Sequence, residues 1–148
     1  MTENENHNKQ TVRRLYEEVA NQGKLELLDE IARPDHVEHY PFPQQSQGVE
    51  GLKQRISMIR AAFNPRFTIK HLIAEDDKVA VMWSNEGTHV GEWFGFAPTG
   101  KSVTTNGVDI HLLRDGRLAE HWDVVDTTNF LASVGVLPVP PAAAKSQR

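Results

Sequence analysis

A chain of 148 residues without a single cysteine has room for one domain with a true core, and it excludes disulfide frames, cysteine zinc sites and thiol nucleophiles. Its hydrophobic fraction of 39% and charged fraction of 24% are ordinary for a soluble globular protein. A net charge of -4 gives no reason to expect nucleic acid or an anionic membrane as partner, and no apolar run approaches the ~20 residues that span a bilayer.

Residues 1–8 are polar throughout, carry no secretory-leader pattern and read as a disordered lead-in to a cytoplasmic protein. A single domain is expected over 9–135, followed by a loose tail over 136–148 that contains Pro138, Pro140 and Pro141. Val12, Leu15, Tyr16, Val19 and Ala20 recur at helical spacing, which predicts a helix over 9–22 with Gly23 as its stop. A second helix over 24–32 buries Leu25, Leu28 and Ile31 and ends before Pro34. Residues 35–48 read as an irregular loop holding His36, His39, Tyr40 and Phe42. A third helix over 49–63 carries Leu52, Ile56, Ile59 and Phe63 on its apolar face.

After Pro65 the period changes from helical to alternating. Residues 67–75 and 78–86 form a hairpin around Asp76-Asp77, 88–99 is a connection rich in Gly, Pro and aromatic residues, and 101–113 and 118–126 are the last two strands. A short helix over 129–134 closes the domain. There is no internal repeat. Helices followed by a run of antiparallel strands give an α+β class, with the helices on one face of the sheet.

The last hairpin carries the chemistry. Side chains alternate across a strand, so Asp109 and His111 share one face while His121 and Asp123 share another. A two-residue loop at Asp115-Gly116 would place Asp109 on the side of Trp122. A three-residue loop, Arg114-Asp115-Gly116, pairs Leu113 with Arg117 and puts all four polar residues on one surface. The three-residue form is preferred because it keeps polar and apolar sets apart. On an open face the two aspartates would be a solvated, inert pair. Inside an apolar hollow, desolvation and mutual repulsion would raise one carboxyl pKa, giving a base able to take a proton from carbon beside a carbonyl without a metal or nucleotide.

Three other patterns carry less. Gly95 to Ser102 matches the P-loop GxxxxGK[ST], but strand residues Val103, Thr104 and Thr105 follow where a helix must open, so the match is a turn. His36 and His39, with His111 or His121, could in principle hold a metal; without cysteine partners or a paired-histidine helix, hydrogen bonding is the commoner role, and no metal is expected. Trp83, Trp93, Phe94, Phe96 and Trp122 could line a cavity for a flat apolar ligand or simply pack the core.

Gly87-Thr88-His89, the turn Pro98 to Lys101, Gly107 to Ile110 and the run Asp115 to Asp123 resemble the SnoaL-like polyketide cyclases, or ester cyclases. His39-Tyr40-Pro41 and Gly48 to Lys53 match as well, with Asn the commoner residue where Tyr40 stands. The likeness runs from the first helix to about Gly135. It implies a cone-shaped fold shared with ketosteroid isomerase: a curved antiparallel sheet wrapped around a pocket closed by N-terminal helices. It also implies a homodimer or homotetramer formed through the outer face of the sheet, a small hydrophobic or aromatic substrate, no cofactor, and an intramolecular aldol reaction that closes a ring in a polyketide ester.

Asp123 occupies the position of the family's acid/base aspartate. Asp109 stands where a histidine is common, and this is a departure from the pattern. Candidate substrate-binding residues are His39, His111, His121, Trp83, Trp93 and Phe94. The alternatives are a dehydratase, an isomerase or a hydrolase acting on a small apolar substrate, or a non-catalytic module binding a hydrophobic ligand. For an epoxide hydrolase of this architecture, with its Asp-Arg-Asp set, the strands offer no suitably placed arginine.

Overall fold

The computed structural model describes residues 1–139 and 141. Its elements are α1 (Glu3–Arg14), a π-helical segment (Leu15–Ala20), a 3-10 turn (Leu25–Leu27), α2 (Leu28–Ile31), β1 (Ala32–Glu38), α3 (Gly48–Phe63), β2 (Arg66–Glu75), β3 (Lys78–Thr88), β4 (Ser102–Arg114), β5 (Arg117–Val125) and α4 (Thr127–Ser133). The five strands form one curved sheet in the order β1-β5-β4-β3-β2, antiparallel except for the edge pair β1–β5. This is the α+β cone expected from the sequence. Val12, Leu15 and Val19 from the first helix and Leu28 and Ile31 from α2 pack with Leu52 and Ile56 of α3 against Val79, Val81, Leu113 and Leu118. The helices thus cover one face of the sheet, and the core lies between the two layers.

The first helix starts at Glu3, so residues 1–8 are not a disordered lead-in. Thr2 Oγ1 accepts from the Glu5 amide at 3.1 Å and Glu5 Oε1 accepts from the Thr2 amide at 2.8 Å, a capping box that Thr2-x-x-Glu5 spells out. Glu5 Oε2 also accepts from the Asp76 amide, tying the helix to the β2–β3 turn. Residues 32–38 form β1 rather than the start of a loop, because their backbone pairs with β5, and His36 and Glu38 become inward positions of a strand. Of the tail, Val136 and Leu137 donate backbone hydrogen bonds to the Leu131 carbonyl; Pro140 and 142–148 lie outside the described residues.

The last hairpin reaches the expected facing by a different route. Arg114 pairs with Arg117, so the loop is the two-residue Asp115-Gly116, with φ of +52° and +73°. A bulge then shifts the register, pairing Leu113 with Leu118 but Leu112 with Glu120. The extra residue on β5 flips every later position. Asp109 consequently lies opposite Asp123, and His111 opposite His121.

Candidate active site

The inner face of the sheet and the helices above it enclose a cavity of about 390 Å³. Its wall is mostly apolar, including Leu52, Ile59, Phe63, Phe67, Trp83 and Trp93. Asp109, His111, His121 and Asp123 all face it, as do Trp83, Trp93, Phe94 and Phe96. His39 does not. It stacks on Trp122 at 4.3 Å between ring centroids with the planes 3° apart, and hydrogen-bonds to Glu120 at 2.8 Å. Trp122 alternates with His121 and Asp123 and so points to the other side of the sheet, carrying His39 with it.

Asp109 sits at the centre of a buried network. Its Oδ2 accepts from Tyr16 Oη and from Trp83 Nε1 (3.0 Å), and Oδ1 lies 3.5 Å from His121 Nε2. Trp83 reaches it across β4 only because Gly107 has no side chain: a Cβ there would stand 2.3 Å from the indole Cζ2. His121 Nδ1 donates to Glu38 Oε1 at 2.6 Å, so the imidazole is held between two carboxylates. His111 Nε2 contacts Tyr16 Oη at 2.8 Å. Since the tyrosine proton goes to Asp109, His111 is the donor there, and its Nδ1 is left buried without a partner among the described residues.

Arg55 carries the second half of the site. Its Nη2 donates to Asp123 Oδ2 at 2.8 Å, Nη1 donates to the Tyr40 carbonyl at 3.0 Å, and its guanidinium lies 3.9 Å from the Phe42 ring centroid. Nη1 is also 3.6 Å from Glu38 Oε1. An arginine therefore does stand against these strands, delivered by α3. It bonds Asp123 but not Asp109.

The electrostatics follow from counting charges. Three carboxylates, Glu38, Asp109 and Asp123, share two cations, Arg55 and His121. One negative charge is in surplus. Burial pushes the Asp109 carboxyl up, but the hydrogen bond and charge of His121, helped by Tyr16, outweigh it and hold Asp109 below the usual carboxylate range. Glu38 behaves likewise, with His121, Arg55 and the Tyr40 amide overcoming its burial. Burial disfavours charge on His121 too, yet Asp109 and Glu38 raise it to about 9. For Asp123 burial wins: Arg55 and His121 pull its pKa down, repulsion from Asp109 and Glu38 adds to burial, and the net shift is upward. Burial and the charge on His121 push His111 down to about 3 and His36 to about 4, so both are neutral.

Asp109, His111 and His121 bring possible ligand atoms within 4.8 Å of one another. Their fit to a metal is poor: His121 Nδ1 is taken by Glu38, His111 Nε2 by Tyr16, and both oxygens of Asp109 have partners.

Tyr16, Glu38 and Arg55 are the site residues that sequence reasoning missed. Tyr16 lies in the π-helical segment Leu15–Ala20, a local unwinding that is frequent at functional sites. Arg55 had a visible signal. It occupies the inward stripe of α3 between Leu52, Ile56 and Ile59, where a cation has no business unless it meets a charge.

Known proteins resemble this chain in sequence and fold. A sequence profile of the SnoaL-like polyketide cyclases matches residues 10–134. Aklanonic acid methyl ester cyclase DauD of Streptomyces sp. strain C5 is 29% identical over 133 residues, covering 84% of this chain and 79% of that one. The nogalonic acid methyl ester cyclase of Streptomyces nogalater is 26% identical over 120 residues, 78% of this chain and 88% of its own. Among solved structures, IdmH of Streptomyces antibioticus superposes with a TM-score of 0.75 at 31% identity, covering 87% of this chain and 99% of that one. With a family match over nearly the whole fold, the chain belongs to the SnoaL-like polyketide cyclases.

Proposed function

We propose that the protein closes a ring in a polyketide-type ester by intramolecular aldol addition, with Asp123 as the acid/base. The observation that carries this reading is that Asp123 alone among the three site carboxylates has a raised pKa, while facing an apolar cavity. Asp123 takes the proton from a carbon between two carbonyl groups. The resulting enolate carbon attacks a ketone of the same molecule, forming the new C–C bond, and the alkoxide takes the proton back from Asp123. Substrate and product are isomers, so no cofactor enters the balance. As Asp123 loses its charge the negative charge moves onto the substrate, where Arg55 and His121 remain beside it. Asp109, saturated by donors, serves as a fixed charge that raises Asp123 by repulsion and anchors His121.

The methyl esters named for the two relatives, aklanonic and nogalonic acid methyl ester, are the first substrates to try. Conversion to a product of unchanged mass with a new retention time is the expected result. A product lighter by one water would point to a dehydratase; an acid lighter by one CH2 with methanol released, or a product heavier by one water, would point to a hydrolase. Binding without conversion of either ester would favour a non-catalytic ligand-binding role.

The outer face of the sheet supports self-association. Ile73, Met82, Val108 and Val124 are 64%, 43%, 41% and 73% exposed on β2 to β5. We propose a homodimer or homotetramer formed on this apolar surface. Sedimentation velocity is expected to show an oligomer that Val108→Lys with Val124→Lys converts to monomer; a wild-type monomer at micromolar concentration would rule the assembly out.

A further inference from the structure

The far end of the cavity carries a second polar pair that the acid/base chemistry does not use. Asn85 of β3 lies directly opposite Thr105 of β4, and both face inward among Phe63, Val103 and Trp93. They are 4% and 9% exposed. Asn85 Oδ1 accepts from the Arg66 amide at 3.0 Å, which fixes the orientation of the side-chain amide. Among the described residues no side-chain hydrogen bond engages Asn85 Nδ2 or the Thr105 hydroxyl, and both open onto the cavity rather than being sealed from it. On an otherwise apolar wall, an amide and a hydroxyl that open onto the cavity are placed to pair with a polar group of whatever fills it.

Their position gives the distance of that partner from the chemistry. Thr105 and Asp109 are four residues apart on the same face of β4, a separation of about 14 Å at ~3.4 Å per residue. Between them lie Gly107 and the flat indole of Trp83, with no polar side chain of β4 intervening. A fused-ring ligand laid along this face would reach from Asp123 at one end to Asn85 at the other.

We infer that Asn85 and Thr105 form a specificity subsite that reads an oxygen, a phenolic hydroxyl or ring carbonyl, on the end of a fused aromatic substrate remote from the reacting carbon. Asn85 Nδ2 donates to that oxygen, and Thr105 Oγ1 accepts from a hydroxyl or donates to a carbonyl. The inference deepens the cyclase reading, since it takes the cavity to be the substrate site. It is independent of which group moves the proton.

The test therefore uses binding rather than turnover. 2-Hydroxyanthraquinone and unsubstituted 9,10-anthraquinone differ by one terminal oxygen, and quenching of Trp83 and Trp93 fluorescence reports their entry. Wild type should bind the hydroxylated probe more tightly. Asn85→Leu should weaken that probe about tenfold, the effect of one lost hydrogen bond to a buried group, and leave the unsubstituted quinone unchanged. Because Asn85→Leu also strips the Arg66 amide of its acceptor, Thr105→Val, which keeps shape and has no backbone duty, repeats the comparison with a smaller selective loss. Equal weakening of both probes, or no change in either variant, overturns the subsite. Selective loss in a protein that converts no ester would keep the subsite and remove the cyclase reading; ester turnover without selectivity would do the reverse.

Discussion

Asp123→Asn should reduce turnover of any ester the wild type cyclises by about 10² to 10⁴, the usual worth of a positioned acid/base. The fold should tolerate the change. Asparagine keeps an oxygen for Arg55 Nη2, and it removes the surplus negative charge that burial already disfavours. A carboxyl whose pKa is raised by folding opposes folding at neutral pH, so the midpoint of thermal unfolding should stay level or rise. Loss of rate with no loss of stability separates a chemical role from a structural one. Retention of turnover within about threefold of wild type would remove Asp123 from the mechanism.

The neighbouring acid gives the contrast. Asp109→Asn leaves His121 with only Glu38 and disturbs the hydrogen bonds of Tyr16 and Trp83, so it should lower stability as well as rate. Arg55→Met should act in another way again. Without the guanidinium, Asp123 loses its nearest positive charge, and the acidic limb of kcat/KM should move to higher pH.

These residues also show why the sequence was informative in one place and mute in another. The inward set of the last hairpin is visible because strand alternation is a local rule, and an aspartate paired with a histidine on each strand violates the expected polarity of a buried face. The register was reached through the wrong turn: Asp115-Gly116 is the two-residue loop its composition favours, and the bulge beyond it has no marker in the sequence. β1 has no sequence signal of its own, since a short edge strand with Pro34 and Asp35 looks like loop until a partner is known. Glu38 goes unread with it, and with Glu38 the reason His121 is charged. His39 was misplaced for a related reason, since a residue one step past a strand inherits its side of the sheet from pairing rather than from composition. Tyr16 reads as a packing residue of the first helix in sequence, because its hydroxyl partners, Asp109 and His111, lie more than ninety residues away.

Stability should pass through a maximum near pH 6.5, and the buried histidines set both limbs. In the unfolded chain each titrates near ~6.5. His121, raised to about 9, binds more proton in the fold than out of it between these values. Its contribution is fully present below pH ~6.5 and is lost as pH rises through about 9. His36 and His111, lowered to about 4 and about 3, work in the opposite sense. Below pH ~6.5 the unfolded chain protonates both while the fold protonates neither, so stability falls as pH falls. Each proton contributes a slope of about 1.4 kcal/mol per pH unit, so the two histidines make the acid limb the steeper one, less what Asp123 gives back as it takes up its proton in the fold. The alkaline limb should amount to the order of 3 kcal/mol. Glu38 and Asp109, held below their usual range, lose their contribution only at lower pH, beyond the first part of the acid limb. Urea unfolding from pH 4.5 to 10 reads the whole curve, and His121→Gln should flatten its alkaline side while lowering its peak. Stability that stayed level from pH 6.5 to 9 in the wild type would mean that His121 is not a cation between Asp109 and Glu38, and the charge balance that leaves Asp123 as the base would go with it.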